Sequence, residues 1–207
     1  MEKLFTNKDT WHGGFYELSM EMGRLSEEKL EAALEAIWIF GDLRGCYLRS
    51  DIEPRFQPQV APDIKTLRSH NHLRGIAKLP DGKQAACGTF LLQEEAGDNW
   101  LDFYLPMGAL TMANDAVGAY PFDSNGISQT WREPLEIWLA KIGHSVFSKV
   151  PFLLGLVGFE VSGEVTADEL KVTGVPAERF MGYLYPIDGK LTWFPTNQWQ
   201  HLPQAAS

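Results

Sequence analysis

The sequence predicts an α+β fold built from two successive βαββ(β) modules, residues 1–97 and 98–195, with a short tail over 196–207. Three observations carry this expectation. Short segments alternate apolar and polar residues between Gly and Asp-Gly turns, each half holds one amphipathic stretch of helical period, and landmarks recur in the same order in both halves.

In the first half, Tyr16, Leu18, Met20 and Met22 fall on one face of an extended segment and Glu17, Ser19 and Glu21 on the other, which is a strand ended by Gly23. Ser26 then precedes Leu30, Ala33, Leu34, Ile37 and Trp38, whose spacing makes a single helical face. Ser26 supplies an N-cap and Gly41 a stop. Residues 43–49 read as a strand. Pro54, Pro58 and Pro62 make 51–71 irregular, with a short helix opening at Pro62-Asp63. Strands over 73–79 and 84–93 are joined by an Asp81-Gly82 turn.

The second half repeats the plan. Residues 100–105 are a strand, and 111–130 are irregular around a turn at Asp123-Ser124-Asn125-Gly126. A helix opens near Pro134 with Leu135, Trp138, Leu139, Ile142 and Val146 on its apolar face, and Pro151 bars its continuation. An apolar strand covers 152–165. Thr166 with Glu169 makes a capping box for a short helix, and 179–185 and 191–194 form a hairpin around Asp188-Gly189. The recurring landmarks are Met22-Gly23-Arg24-Leu25 with Met107-Gly108-Ala109-Leu110, Leu43-Arg44-Gly45 with Leu156-Val157-Gly158, and Gly75 through Asp81-Gly82-Lys83 with Gly182 through Asp188-Gly189-Lys190.

Composition bounds the function. A net charge of −9 repels a phosphate backbone and argues against nucleic acid, while it suits a cationic ligand or a basic protein partner. The two cysteines, Cys46 and Cys87, stand in apolar strand-like surroundings and form no CxxC pair, as expected of buried thiols in a reducing, cytoplasmic compartment. No apolar run reaches membrane-spanning length, and residues 1–8 lack the apolar core of a signal peptide, so no membrane partner is expected. No Gly-x-Ser-x-Gly elbow, Walker loop or Gly-x-Gly-x-x-Gly occurs, so the sequence points to binding rather than catalysis and to no cofactor.

The seven Trp and twelve Phe imply a deep core, a ligand cleft, or both. Glu160 sits in an apolar run, sharing a strand face with Leu154, Leu156 and Ser162. Glu17 and Glu21 lie on the polar face of the first strand, and Asp102 shares a face with Trp100 and Tyr104. Converging, these residues make an acidic pocket between the two modules. Glu160, Glu17 and Asp102 would neutralise an amine there, and Trp100 and Tyr104 would stack on it. His70 and His72, two apart on an extended segment, would point to one side and share a metal if His12, His144 or Glu160 supplied a third ligand. No such third ligand follows in sequence, so no metal is assigned. His144 with Ser145 belongs to no triad, and Asp123-x-Asn125-Gly126 lacks the spacing of a calcium loop.

The element order is similar to that of duplicated βαββ effector-binding domains, which implies a small, often cationic ligand. It is also similar to the paired βαβββ modules of glyoxalase-type metalloenzymes, which implies a metal at His70 or His72. The likeness is architectural, and no motif of either family is present. An acidic inhibitor or immunity-type partner for a basic protein is the remaining alternative, resting on the charge and on the proline-rich 51–71 excursion.

Overall fold

A computed structural model describes residues 3–93, 99–118, 120, 122 and 126–199. The first alternating segment forms β1 (Phe15–Gly23), and the stripe after it forms α1 (Glu27–Phe40). The Ser26 side chain accepts the Lys29 amide and Gly41 closes the helix. β2 (Arg44–Tyr47) follows, then a 3₁₀ turn at Pro54–Phe56 and α2 (Ile64–His70), whose N-cap Asp63 accepts the Thr66 amide at 2.7 Å. β3 (His72–Lys78) and β4 (Gln84–Gln93) make the expected hairpin, followed by β5 (Asn99–Pro106). Then come α3 (Met107–Ala113), α4 (Ile127–Lys149), β6 (Leu154–Phe159), α5 (Ala167–Thr173), β7 (Gly182–Ile187) and β8 (Lys190–Phe194).

The fold is α+β, with one antiparallel sheet of eight strands in the order β2-β3-β4-β5-β1-β6-β7-β8. The first strands of the two halves, β1 and β5, pair with each other at its centre, from Phe15 opposite Pro106 to Glu21 opposite Trp100. Beside β1 lies β6, whereas β2, its counterpart under a duplication, is the far edge strand. Of the landmarks, Gly75 with Asp81-Gly82 and Gly182 with Asp188-Gly189 do occupy like places in two hairpins. Met22-Gly23 ends a strand while Met107-Gly108 opens a helix, so connectivity does not confirm the tandem duplication.

The sheet is buried on both faces at its centre. Tyr16, Leu18 and Met20 pack with Leu101, Phe103 and Leu105 and with the buried stripes of α1 and α4 in the main core. The opposite face of the β6–β7 wing carries a smaller core, in which Trp100, Leu154, Leu156 and Tyr183 meet Val161, Ala167 and Leu170. That second layer explains why the polar-looking positions of β1 are buried too: Glu17 is 1 % exposed and Ser19 0 %.

Three elements differ from expectation. α3 covers residues 107–110, for which no element was expected, and the first three residues of the stretch expected to be irregular; it is seven residues long, follows Pro106, and has neither a side-chain cap nor an acid in its first turn. α4 opens at Ile127, so Pro134 lies inside it, on the exposed side beside the exposed Thr130. Pro134 has no amide to give the carbonyl one turn back, and exposure leaves that carbonyl to water. β6 stops at Phe159 because Glu160 takes a left-handed φ of 46°. The expected strand to residue 165 is instead a loop leading into α5, whose capping box between Thr166 and Glu169 is formed. The expected turn at Asp123-Ser124-Asn125 and the tail from residue 200 lie outside the described residues. Among the described residues no helix is long and apolar enough to cross a membrane.

The N-terminal segment is held by one carboxylate. Glu53 accepts the amides of Leu4, Phe5 and Thr6 and the Thr6 hydroxyl. Burial pushes its pKa up, but these hydrogen bonds outweigh burial and hold it below the ordinary value. Glu53→Gln keeps an oxygen for Phe5 and Thr6 but loses the charge and the bond to Leu4. Urea melts are expected to show a loss of about 1–2 kcal/mol; an unchanged midpoint would refute this anchoring role.

Candidate functional site

A half-open hollow lies where β6 ends. Its walls are Tyr120 and Phe122 from the α3–α4 connection, Phe159 with Glu160, Val161 and Glu164 from the β6–α5 loop, Phe180 and Met181 before β7, and Trp199, with Arg132 of α4 behind. It encloses about 300 Å³, the low end of small-molecule sites. A second groove of about 240 Å³ runs between the β3–β4 turn and α4, with Asp81 as its acidic residue.

Local chemistry explains this shape. Gly14 has a φ of +80°, and a Cβ there would stand 2.6 Å from Glu160 Oε1 and 2.7 Å from the Phe159 ring. Glycine therefore lets both residues close over the strand end. The Glu160 amide donates to the Phe15 carbonyl at 2.9 Å, continuing the ladder one step past β6. Tyr120 stacks on Phe159, centroids 4.4 Å apart and planes 13° from parallel, and Phe122 meets Phe159 edge-on. Arg179 fixes the far wall: its side chain donates to the carbonyls of Pro176, Ala177 and Pro195, its amide donates to Asn197 Oδ1, and its carbonyl accepts the amides of Asn197 and Gln198.

Behind the hollow stands a buried group that the sequence reading missed. Arg132 packs against the rings of Phe122 and Trp199, each 4.9 Å from its guanidinium carbon. Its Nε donates to the Tyr16 hydroxyl at 3.1 Å, its Nη1 to the Trp199 carbonyl at 3.5 Å, and its Nη2 lies 3.7 Å from Glu136. The Tyr16 hydroxyl also donates to Glu136. Burial pushes the Glu136 carboxyl up to about 7, against the opposing pull of Tyr16 and Arg132. The available signal was Arg132 and Glu136 one turn apart in the same stripe as Ala140 and Gly143, which places both charges on the core side of α4.

The five residues expected to hold a ligand are brought close together but not into one cavity. Glu160 lines the hollow and is exposed, not embedded in an apolar strand, because the left-handed turn at its own backbone carries it out of the sheet. Glu17, Asp102, Trp100 and Tyr104 share the sheet face opposite α4, through the pairs Glu17–Tyr104, Ser19–Asp102 and Glu21–Trp100. All are buried: Asp102 is 0 %, Trp100 2 % and Tyr104 2 % exposed. Trp100 belongs to the core under α5. Tyr104 sits among Phe15, His72 and Phe90, its hydroxyl 3.1 Å from His72 Nδ1. Neither ring is a wall of the hollow.

The acids of β1 fasten the loop that closes this face. Glu17 Oε1 accepts the Ser162 amide at 3.0 Å, and Glu21 Oε2 accepts the Ala167 amide, the first of α5, at 2.6 Å. Burial pushes the Glu17 carboxyl up to about 7 despite its backbone hydrogen bonds. Asp102 is pushed well above its ordinary range by burial and then by the nearby Glu17 charge; the Ser19 and Ser162 hydroxyls approach it and oppose the shift.

The paired-histidine reading loses its geometry. His70 is the last residue of α2, Asn71 turns the chain at φ 62°, and His72 opens β3, so strand parity does not relate them. His70 Nδ1 is engaged with the Thr66 carbonyl, and His12 and His144 are exposed elsewhere. Among the described residues no group of three or more His, Cys, Asp or Glu is arranged to hold a metal. Cys46 and Cys87 are buried and free.

The fold and the hollow together define an α+β protein with a half-open aromatic pocket at the end of a central strand. Comparison with protein-family models, with curated proteins and with solved structures finds no match.

Proposed function

We propose that the protein binds a small cationic or amine-bearing aromatic molecule in the hollow at the end of β6, without catalysing its conversion. The observation that carries this reading is the pairing of ring faces with free acid. Tyr120, Phe122, Phe159, Phe180 and Trp199 surround the space, and Glu160 and Glu164 stand at it with no ion pair to another described residue. Arg132 does not cancel them, because its guanidinium is packed on rings and turned toward Tyr16, Glu136 and the Trp199 carbonyl. Ring faces and carboxylates together select a cation. Of the expected ligand residues Glu160 keeps a direct role; Glu17 acts through the loop that carries Glu160's neighbours, and Asp102, Trp100 and Tyr104 support that face from beneath. A cytoplasmic setting goes with this reading, supported by the two buried free thiols. Shared ancestry of the two halves is supported by the matching Asp-Gly hairpins alone.

A thermal-shift panel of aromatic amines, quaternary ammonium compounds and neutral isosteres tests the proposal. Cations are expected to raise the melting temperature, and their neutral isosteres are not. Glu160→Gln together with Glu164→Gln should remove most of the gain, leaving the unliganded stability within about ±0.5 kcal/mol of wild type because both residues are exposed. Stabilisation that survives both changes would exclude this pocket as the cation's site.

A further inference from the structure

We propose that Glu17, Ser19, Asp102 and Ser162 form a buried binding site for a hard divalent cation of calcium type, separate from the aromatic hollow and independent of its guest. The residues converge by register. Ser19 lies directly opposite Asp102 across the β1–β5 ladder, Glu17 is two residues along on the same face, and the loop after β6 sets Ser162 above them. Glu17 Oε2, Ser19 Oγ, both carboxyl oxygens of Asp102 and Ser162 Oγ are each buried and complete no hydrogen bond of normal geometry. Asp102 is fully buried. Native proteins pair buried polar atoms almost without exception, so a local group of unpartnered oxygens needs an occupant.

The donor set names that occupant. Every unpartnered atom is an oxygen, two carboxylates match a double positive charge, and serine hydroxyls are neutral ligands, the chemistry of a hard cation rather than of zinc or copper. Calcium tolerates irregular oxygen cages and sheds its water readily, while magnesium keeps several waters, for which a site buried to this degree has little room. No Lys, Arg or His among the described residues forms an ion pair with Glu17 or Asp102.

The experiment is a melt of chelator-treated protein at neutral pH with and without calcium chloride, in enough sodium chloride to screen the surface charge. At a hundredfold excess over Kd, a rise of about 5–10 °C is expected. Terbium is expected to bind in its place and to luminesce on tryptophan excitation, because Trp100 is on the same face two residues from Asp102, and calcium should quench that signal. Asp102→Asn should abolish both effects while leaving every surface carboxylate in place. Ser19→Ala, which changes no charge, should weaken calcium at least tenfold and serves if the Asp102 variant does not fold. No shift with calcium would mean that a shared proton occupies the site and would overturn the proposal. A shift that persists undiminished in Asp102→Asn or Ser19→Ala would assign it to surface acids and overturn it equally.

Discussion

Gly108→Ala is expected to destabilise the protein by about 3 kcal/mol, although helix propensity alone favours alanine by about 1 kcal/mol. Gly108 is the second residue of α3, and a Cβ built there would lie 1.7 Å from the Asp9 carbonyl oxygen and 3.1 Å from that of Thr10. The contact is with backbone, so no rotamer change relieves it. The Met107 and Gly108 amides also donate to the carbonyls of Gly14 and His12, and Thr10, fully buried, is tied to the Leu4 carbonyl. Alanine would therefore have to push the N-terminal segment off α3, breaking these bonds and disturbing Phe5 and Trp11 in the core. Denaturant unfolding measures the effect, and a variant as stable as wild type would show that the segment contributes little to the fold.

Arg132→Met is expected to cost about 2–3 kcal/mol at pH 8, because it removes the counter-charge of buried Glu136 and the donor to the Tyr16 hydroxyl. Methionine replaces most of the stem packing, so the loss reports charge rather than volume. Lowering the pH protonates Glu136 in both proteins and should recover about 1.4 kcal/mol of the loss by pH 5, since the folded pKa of about 7 lies only one unit below pH 8. A penalty of equal size at both pH values would point to lost ring packing against Phe122 and Trp199 instead.

In the wild-type protein the same carboxyl has a signed effect on stability. The folded pKa of Glu136 is raised from 4.5 to about 7, so between those values the native state holds more protons than the unfolded chain. The stabilisation is fully present below pH 4.5 and is lost as the pH rises through about 7. Glu136→Gln fixes the neutral form, and the decline in unfolding free energy between pH 5 and 8 should shrink by roughly 3 kcal/mol. An unaltered pH profile in that variant would contradict the raised value.

How much was legible depended on how local the determinant is. β1, α1 and both Asp-Gly hairpins are announced by periods and caps that lie within a few residues of one another, and they stand where the pattern puts them. The shared face of Asp102, Trp100 and Tyr104 was also legible, because strand parity is a property of single strands, whereas their meeting with Glu17 needed the β1–β5 pairing. What parity does not say is whether that face meets water. Glu17 read as the polar side of a half-buried strand and Asp102 as part of an open, aromatic-walled pocket, yet the 160–167 loop and α5 cover this face. Glu160 read as a buried acid in an apolar strand, and a single left-handed residue places it outside. α3 carried no capping signal, and Pro134 suggested a helix start that Ile127 provides instead.

The amino-acid sequence by itself determined the α+β class, the amphipathic helices, the turns and the two-faced strands, since each follows from backbone sterics and side-chain period over short range. Tertiary structure alone decided that β5 inserts between β4 and β1, that Tyr16, Arg132 and Glu136 share one buried site, and that rings from the α3–α4 connection, the β6 end and the C-terminal segment meet around one hollow. Those outcomes depend on which distant surfaces bury each other most completely, a competition among long-range contacts that no local period encodes.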